Sequence, residues 1–140
     1  MKSSYEGLQK HVRTLKTSAI EVFTNQYSDR EYTIELSTPE FTCICPKTGL
    51  PDFATINIWY APRETCLELK SLKFYMISYR NVGIFHEHLT NKILDDIVKA
   101  CQPRWVKVEA VMNTRGGINA TVTAEYFSKG QKVKTSNGQK

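Results

Sequence analysis

The segment that most constrains the fold of this chain is an eight-residue stretch from Cys45 to Asp52, CPKTGLPD. Its two prolines and its glycine prevent a helix or a central strand from continuing, so the chain must turn here. The turn can bring Cys45 and Asp52 into one pocket. A thiol is a nucleophile and a carboxyl group carries protons, so the two side chains are candidates for covalent catalysis. The alternative is a core cysteine followed by an ordinary Pro-Asp turn.

Alternating apolar residues predict strands on both sides of this turn. Runs at 32–36 and 41–45 precede it, and runs at 53–59, closed by Pro62, and 65–70 follow it. Residues 105–112 alternate cleanly, turn at Arg115-Gly116-Gly117 and return through 118–127. That pattern predicts a hairpin with one buried face.

Two helices are predicted between these strands. A short one spans 71–79, with Ser71 as its N-cap. A longer one starts at Phe85 and ends before Pro103, and its apolar stripe has helical spacing: Leu89, Ile93, Leu94, Ile97, Val98 and Cys101. Strands, two helices and a hairpin, in that order, predict an α+β fold in which both helices pack on one face of an antiparallel sheet. There is no Gly-x-Gly-x-x-Gly turn, which argues against a Rossmann domain.

Length and charge set the organisation of the chain. Its 140 residues suit one domain at 31–128, preceded by a partly ordered N-terminal extension at 1–30 and followed by a basic polar tail at 129–140. The net charge of +5 comes mostly from that tail, since without its four lysines the chain has 15 basic and 14 acidic side chains. A non-catalytic nucleic-acid-binding module nevertheless stays open as an interpretation of the charge.

Two observations bear on the compartment. The first residues lack the apolar stretch of a secretory signal, and no run of apolar residues is long enough to span a membrane. Four cysteines in such a chain point to free thiols in a reducing compartment. We therefore expect a cytoplasmic protein.

A metal site is the first chemistry to weigh. Cys43 and Cys45 alternate on one strand, which would turn both to the same side, and His86 and His88 follow later. Their spacing matches no usual zinc site, so we expect no metal. The other two cysteines, Cys66 and Cys101, lie in apolar patterns typical of a core.

The remaining polar candidates lie at the predicted helix starts. Glu68, between Leu67 and Leu69, is either a solvent-facing residue or a ligand-binding one. Lys70, Ser71 and Lys73 form either a phosphate site at a helix N-terminus or a solvated basic face. Glu87 is favourable beside a helix N-terminus for purely structural reasons, but a carboxylate there also suits the paired N–H donors of a guanine edge.

These motifs resemble those of one enzyme family. The run from Glu68 to Tyr75, ELKSLKFY, followed by SYRN at 78–81, is similar to the signature of the NADPH-dependent 7-cyano-7-deazaguanine reductases. These are the QueF nitrile reductases of queuosine biosynthesis. The segment 45–53 resembles their active-site loop, 85–87 their substrate-binding segment and 115–118 part of their hairpin. The matches lie in family order from about residue 38 to 118, and the length is that of the single-module form.

The resemblance implies a fold and a reaction. The fold is the tunnelling fold, an antiparallel sheet with two helices on one face. Cys45 attacks the nitrile carbon and forms a covalent thioimide, and Asp52 donates a proton to the nitrogen. Two hydrides from two NADPH then yield the primary amine, in a pathway of tRNA modification.

The resemblance also assigns binding residues and partners. Glu87, with His86 beside it, accepts the N–H donors of the deazaguanine, which Leu67, Glu68 and Leu69 line. Lys70, Ser71 and Lys73 lie toward the NADPH phosphates. The family carries no metal and forms homo-oligomers with sites between subunits, and we expect neither a membrane nor a nucleic acid as direct partner. An amidinotransferase relative, which passes the same thioimide to ammonia on a tRNA base, is the closest alternative, but it lacks the ELKSLK stretch.

Overall fold

A computed structural model describes Tyr5 and residues 7–131 of the chain. The described part holds a 3-10 turn at Val12–Thr14, two α-helices and six strands. The helices are α1 (Leu69–Ile77) and α2 (His86–Cys101). The strands are β1 (Val22–Thr24), β2 (Ile34–Ile44), β3 (Pro51–Ala61), β4 (Thr65–Leu67), β5 (Trp105–Arg115) and β6 (Ile118–Phe127).

The strands form two antiparallel sheets. The larger has the order β2-β3-β5-β6, and the smaller pairs β1 with β4. The predicted hairpin is confirmed as β5 and β6, joined by Gly116 and Gly117 with φ of +58° and +77°. Glycine reaches these angles without the steric cost of a Cβ atom, and two such residues form the tight turn that fits the twist of a hairpin.

The core lies between the larger sheet and the helices. Alternate residues of β3, such as Ile56 and Ile58, and of β5, such as Val106 and Val108, are fully buried. Helix α2 packs on β5 and β6, and its predicted apolar stripe faces them. Burial of this stripe holds α2 in place, since apolar surface removed from water contributes about 25 cal/mol per Å². The first residue of α2, His86, is thereby fixed relative to the sheet.

The two predicted strands at 32–36 and 41–45 are one strand, which corrects the sequence interpretation. Strand β2 runs from Ile34 to Ile44, and its pairing with β3 shifts register between Thr38 and Phe41. Pro39 lies in this bulge, where its missing N–H costs no ladder hydrogen bond, and β2 is an edge of the described sheet. The strand therefore continues through Pro39 and joins the two runs that were predicted as separate strands.

The start of α1 also differs from the prediction. The predicted strand at 65–70 ends at Leu67, and Glu68 rather than Ser71 is the N-cap of α1. The Glu68 carboxylate accepts hydrogen bonds from the backbone N–H groups of Lys70 (2.9 Å) and Ser71 (2.8 Å). Two carboxylate oxygens satisfy two otherwise unpaired helix N–H groups, where one serine hydroxyl would satisfy one.

A buried polar network ties α1 to α2. The Tyr75 hydroxyl lies 2.7 Å from that of Tyr79 and donates to the Asp96 carboxylate at 2.5 Å. Lys92 completes the cluster with an ion pair to Asp96 at 2.9 Å. Burial raises the pKa of both tyrosines, so they stay neutral donors. The network fixes the two helices, and with them the residues at their starts, relative to each other.

Part of the N-terminal segment packs onto the rest of the chain. Strand β1 pairs with β4, and the Glu21 backbone accepts from Glu68 N–H at 2.9 Å. The predicted basic tail lies outside the described residues from 132 onward, and the domain boundaries stay a prediction. No helix in the described ranges is long and apolar enough to cross a membrane.

Candidate active site

The loop between β2 and β3 closes on its own backbone. Cys45 N–H donates to the Leu50 carbonyl at 2.8 Å, and Gly49 N–H donates to the Cys45 carbonyl at 2.9 Å. Gly49 has φ of +75°, a conformation that favours glycine. The predicted turn is confirmed, and Cys45 lies at its neck with both backbone polar groups bonded. The thiol is half-buried.

Asp52 lies just inside β3, opposite Cys43 in the ladder, and is 8% exposed. Its Oδ1 accepts a hydrogen bond from Arg115 Nη1 at 2.9 Å, and its Oδ2 lies 3.4 Å from His86 Nε2. Arg115 also donates to the Pro51 carbonyl at 3.0 Å. The carboxylate is thus held on a central strand between a cation and an imidazole.

His86 reaches this carboxylate because the start of α2 is bonded to the end of β2. Ile44 N–H donates to the Val82 carbonyl at 2.9 Å, and Ile84 N–H donates to the Ile44 carbonyl at 3.0 Å. Ile44 directly precedes Cys45, and one residue, Phe85, separates Ile84 from His86. The same short bridge therefore places the thiol loop and the imidazole.

The two neighbouring thiols have opposite electrostatics. The pKa of Cys45 is lowered, first by a hydrogen bond to its sulfur from the Thr48 side chain and then by the Thr48 backbone N–H. Burial raises the pKa of Cys43 to about 12. A thiolate attacks carbon far more readily than a thiol, so the electrostatics favour Cys45 over Cys43 as the candidate nucleophile. Cys43 and Cys45 were predicted to alternate on one strand and face the same side. The strand ends at Ile44, between them, so Cys43 belongs to β2 and Cys45 to the loop.

We expect Thr48→Val to raise the pKa of the Cys45 thiol. The Thr48 hydroxyl is the largest cause of the lowered pKa, and valine keeps the volume while it removes that donor. The pH at which iodoacetamide alkylates Cys45 at half its maximal rate measures the effect, and it moves to higher pH in the variant.

Thr48→Ser is the matched control, since serine keeps the hydroxyl and the variant keeps the wild-type pH dependence. Alkylation at Cys45 is read by peptide mass spectrometry, which separates it from the three buried cysteines. Equal pH profiles for Thr48→Val and the wild type would contradict this role of Thr48.

The other predicted binding residues form a second group at the start of α1. Leu67 and Ser71 are buried, Glu68 is half-buried, and the other three, Leu69, Lys70 and Lys73, are exposed. The hydrogen bonds from Lys70 and Ser71 N–H lower the pKa of Glu68, so it is a carboxylate. In the part of the chain that the structure describes, no hydrogen bond or ion pair joins this group to Cys45, Asp52 or His86. Glu87 lies exposed beside His86.

A cavity of about 390 Å³ opens between β2 and α1. Leu72 and Met76 provide apolar lining, and Lys73 and Arg80 provide two cations. A guanidinium and an ammonium suit phosphate oxygens, and the apolar lining suits a flat ring. Of the three residues predicted to face a cofactor, Lys73 lines this cavity.

Two residues of the site were missed by sequence reasoning as functional groups. Arg115 stands in the hairpin motif, where a resemblance was noted but no role assigned, and its partner Asp52 is 63 residues away. Thr48 looks like an ordinary turn residue. A hydroxyl three residues after a candidate nucleophile in a tight loop was the available signal.

No three His, Cys, Asp or Glu side chains of Tyr5 and residues 7–131 lie close enough to hold a metal ion. The groups that the structure brings together at the candidate site are the Cys45 thiol, the Asp52 carboxylate, the His86 imidazole and the Arg115 guanidinium.

Comparison with known proteins identifies the family. The family described as QueF-like protein matches residues 51–131. The chain belongs to this family. The NADPH-dependent 7-cyano-7-deazaguanine reductase of Chlorobaculum tepidum is 61% identical over 107 residues, 76% of this chain and 92% of that protein. The enzyme of the same name from Chlorobium phaeovibrioides is 56% identical over 116 residues, 83% of this chain and all of that protein.

A solved structure extends the comparison to the fold. The crystal structure of the archaeosine synthase QueF-Like in its apo form has a TM-score of 0.63 and 29% identity. The match covers 66% of this chain and 91% of that one. The predicted family resemblance and the α+β fold of the tunnelling type are both confirmed.

Proposed function

We propose that this chain reduces the nitrile of 7-cyano-7-deazaguanine to the aminomethyl group, with two NADPH and through a thioimide at Cys45. The product serves queuosine biosynthesis. The observation that carries the proposal is the Cys45 thiol of lowered pKa, in a closed loop that leads directly into the strand holding a buried acid, Asp52. The names of the relatives at 54% identity and above support the substrate and the cofactor.

The chain's own residues account for the first step. The Cys45 thiol passes its proton to the Asp52 carboxylate and the thiolate adds to the nitrile carbon. One C–N π bond opens, and its electron pair takes that proton from Asp52 at nitrogen. The product is a thioimide, with the thiol and nitrile atoms all retained. A thioimide accepts hydride more readily than a nitrile, and the covalent bond keeps the carbon in place. NADPH, when bound, supplies the two hydrides.

The flanking residues position the proton donor, Asp52, and the deazaguanine ring of the substrate. His86 and Arg115 hold the two oxygens of Asp52, so that the proton is delivered from a fixed direction. Glu87 accepts the paired N–H donors of the deazaguanine edge, with His86 beside it. Leu67, Glu68 and Leu69 line the base.

We further propose that the site forms between subunits of a homo-oligomer. The start of α1 and the Cys45 loop are not joined by a hydrogen bond or an ion pair within the described residues of one chain. A second copy can bring its Glu68 group to the Cys45–Asp52 pair of the first. Lys70, Ser71 and Lys73 then lie toward the NADPH phosphates, beside the cavity that Lys73 and Arg80 line. We also propose that the enzyme works in the cytoplasm.

The test is an absorbance assay of NADPH consumption by the purified chain with 7-cyano-7-deazaguanine. The expected result is two NADPH oxidised per aminomethyl product, and none with 7-deazaguanine, which lacks the nitrile. A covalent adduct that consumes ammonia but no NADPH would instead support amidine transfer, the alternative named in the sequence analysis. The absence of both a covalent adduct and NADPH oxidation would contradict the proposal.

A further inference from the structure

The N-terminal segment lies against the candidate active site. Tyr5 and residues 7–9, which we call the N-terminal strap, precede the first regular element of the chain. The Tyr5 ring packs on Phe85 with centroids 5.8 Å apart, and Lys47 Nζ lies 5.1 Å from the centre of the same ring. Phe85 precedes His86, and Lys47 belongs to the Cys45 loop. One tyrosine thus contacts both halves of the site.

Gln9 makes the most specific contacts of the strap. Its Oε1 accepts from Phe85 N–H at 3.0 Å and lies 2.9 Å from His88 Nδ1. Its Nε2 donates to the Leu8 carbonyl at 3.0 Å and lies 3.4 Å from the Gly83 carbonyl. Oxygen faces donors and nitrogen faces acceptors, so the amide matches its surroundings in one orientation only.

These contacts fall where α2 lacks a cap of its own. Phe85 is the N-cap of α2, and its side chain makes no capping hydrogen bond. Gln9, 76 positions earlier, supplies an acceptor for the Phe85 N–H. Between Gly83 and His88, the residues that Gln9 contacts, stand His86 and Glu87. The amide therefore holds both ends of the segment that carries them.

We propose that Gln9 is a positioning residue for the nitrile substrate, acting through the segment 83–88 that presents His86 and Glu87. The inference rests on the proposed function, because it takes those two residues as the ones that bind the base. Glu87 is exposed and belongs to the first turn of α2, so its direction depends on how that turn is held. A small rotation of the turn misaligns two parallel hydrogen bonds at once.

The test compares Gln9→Leu with Gln9→Glu in the full chain. Leucine keeps the bulk and removes the amide, whereas glutamate keeps an oxygen for Phe85 N–H and His88. For Gln9→Leu we expect KM for 7-cyano-7-deazaguanine to rise about 10- to 100-fold, with kcat within about twofold of wild type. For Gln9→Glu we expect KM within about threefold, since only the two contacts of Nε2, to the Leu8 and Gly83 carbonyls, are lost. Gln26→Leu, at an exposed glutamine in the turn after β1, is the control and leaves KM unchanged.

A second measurement does not depend on the reaction. Amide hydrogen exchange on peptides covering 82–89 is expected to be faster in Gln9→Leu than in wild type, and unchanged in Gln26→Leu. Equal exchange in Gln9→Leu and wild type, or a KM within about twofold of wild type, would overturn the role of Gln9. A lower Tm with unchanged KM would also overturn it, as the mark of a structural role alone. An inactive wild-type chain would count against the proposed function, and the exchange experiment would still decide whether Gln9 holds this segment.

Discussion

Cys45→Ala is expected to abolish the NADPH oxidation that 7-cyano-7-deazaguanine drives, a loss of roughly 10³-fold or more. Without the thiolate the nitrile carbon has no covalent partner, and a free nitrile accepts hydride poorly. Wild-type protein incubated with the nitrile alone should gain the mass of one substrate molecule on Cys45, because the addition loses no atoms. The alanine variant should gain none. Intact-mass spectrometry and the absorbance assay read the two effects separately.

Cys43→Ala is the matched control for this experiment. Cys43 is two residues away and fully buried, and its thiol has a pKa of about 12, so it is no nucleophile at neutral pH. The control is expected to keep the adduct and the activity at a modest cost in stability. Full activity in Cys45→Ala, or an adduct that maps to another cysteine, would refute the assigned nucleophile.

Asp52→Asn is expected to slow both adduct formation and NADPH oxidation by roughly 10²- to 10⁴-fold, the usual contribution of a general acid. Asparagine keeps the shape of the side chain and one carbonyl oxygen for Arg115, but its amide does not release a proton at neutral pH. Adduct formation is measured in the absence of NADPH by stopping the reaction in acid at set times and recording the intact mass of the protein. This isolates the proton transfer to nitrogen from the later hydride steps.

Asp95→Asn controls for the loss of one negative charge, since Asp95 is exposed on α2. It should react at the wild-type rate. Thermal unfolding of Asp52→Asn should resemble that of the wild type, because the hydrogen bond from Arg115 persists. An adduct rate in Asp52→Asn within about threefold of wild type would show that the proton comes from elsewhere.

The fold was predictable wherever a local pattern decides it. The apolar stripe of α2 and the glycine turn after Arg115 both predict elements that the structure contains. The prediction was wrong where contacts distant in sequence decide. The runs at 32–36 and 41–45 were predicted as two strands, but they form one, because Pro39 between them lies at a sheet edge where its missing N–H is tolerated. Ser71 looks like a helix cap, but its hydroxyl accepts from Glu21 N–H instead, 50 positions away.

The sequence predicted the candidate reactive groups of the site, but not the residues that hold them in position. Cys45 and Asp52 flank one turn, so their nearness follows from the prolines and glycine between them. Arg115 and Gln9 carry no local signal, because an arginine before a glycine turn and a glutamine in a polar segment are both ordinary surface residues. Their contacts are tertiary: Arg115 donates to the Asp52 carboxylate, and Gln9 accepts from the N–H of Phe85, the residue before His86. The roles of all these residues stay predictions that the variants test.

The placement of Asp52 opposite Cys43 in the β2–β3 ladder has a consequence for the order in which the chain assembles. Cys45 and Asp52 become neighbours as soon as the β2–β3 hairpin forms, which is a local event on the microsecond scale. His86 and Arg115 join from 34 and 63 residues away, after loops that cost about 0.6 kcal/mol more for each doubling of length. We therefore expect a nascent chain to carry its reactive thiol and acid together before the imidazole and guanidinium arrive. The two reactive side chains come from one short segment, whereas the residues that hold Asp52 in position require the complete fold.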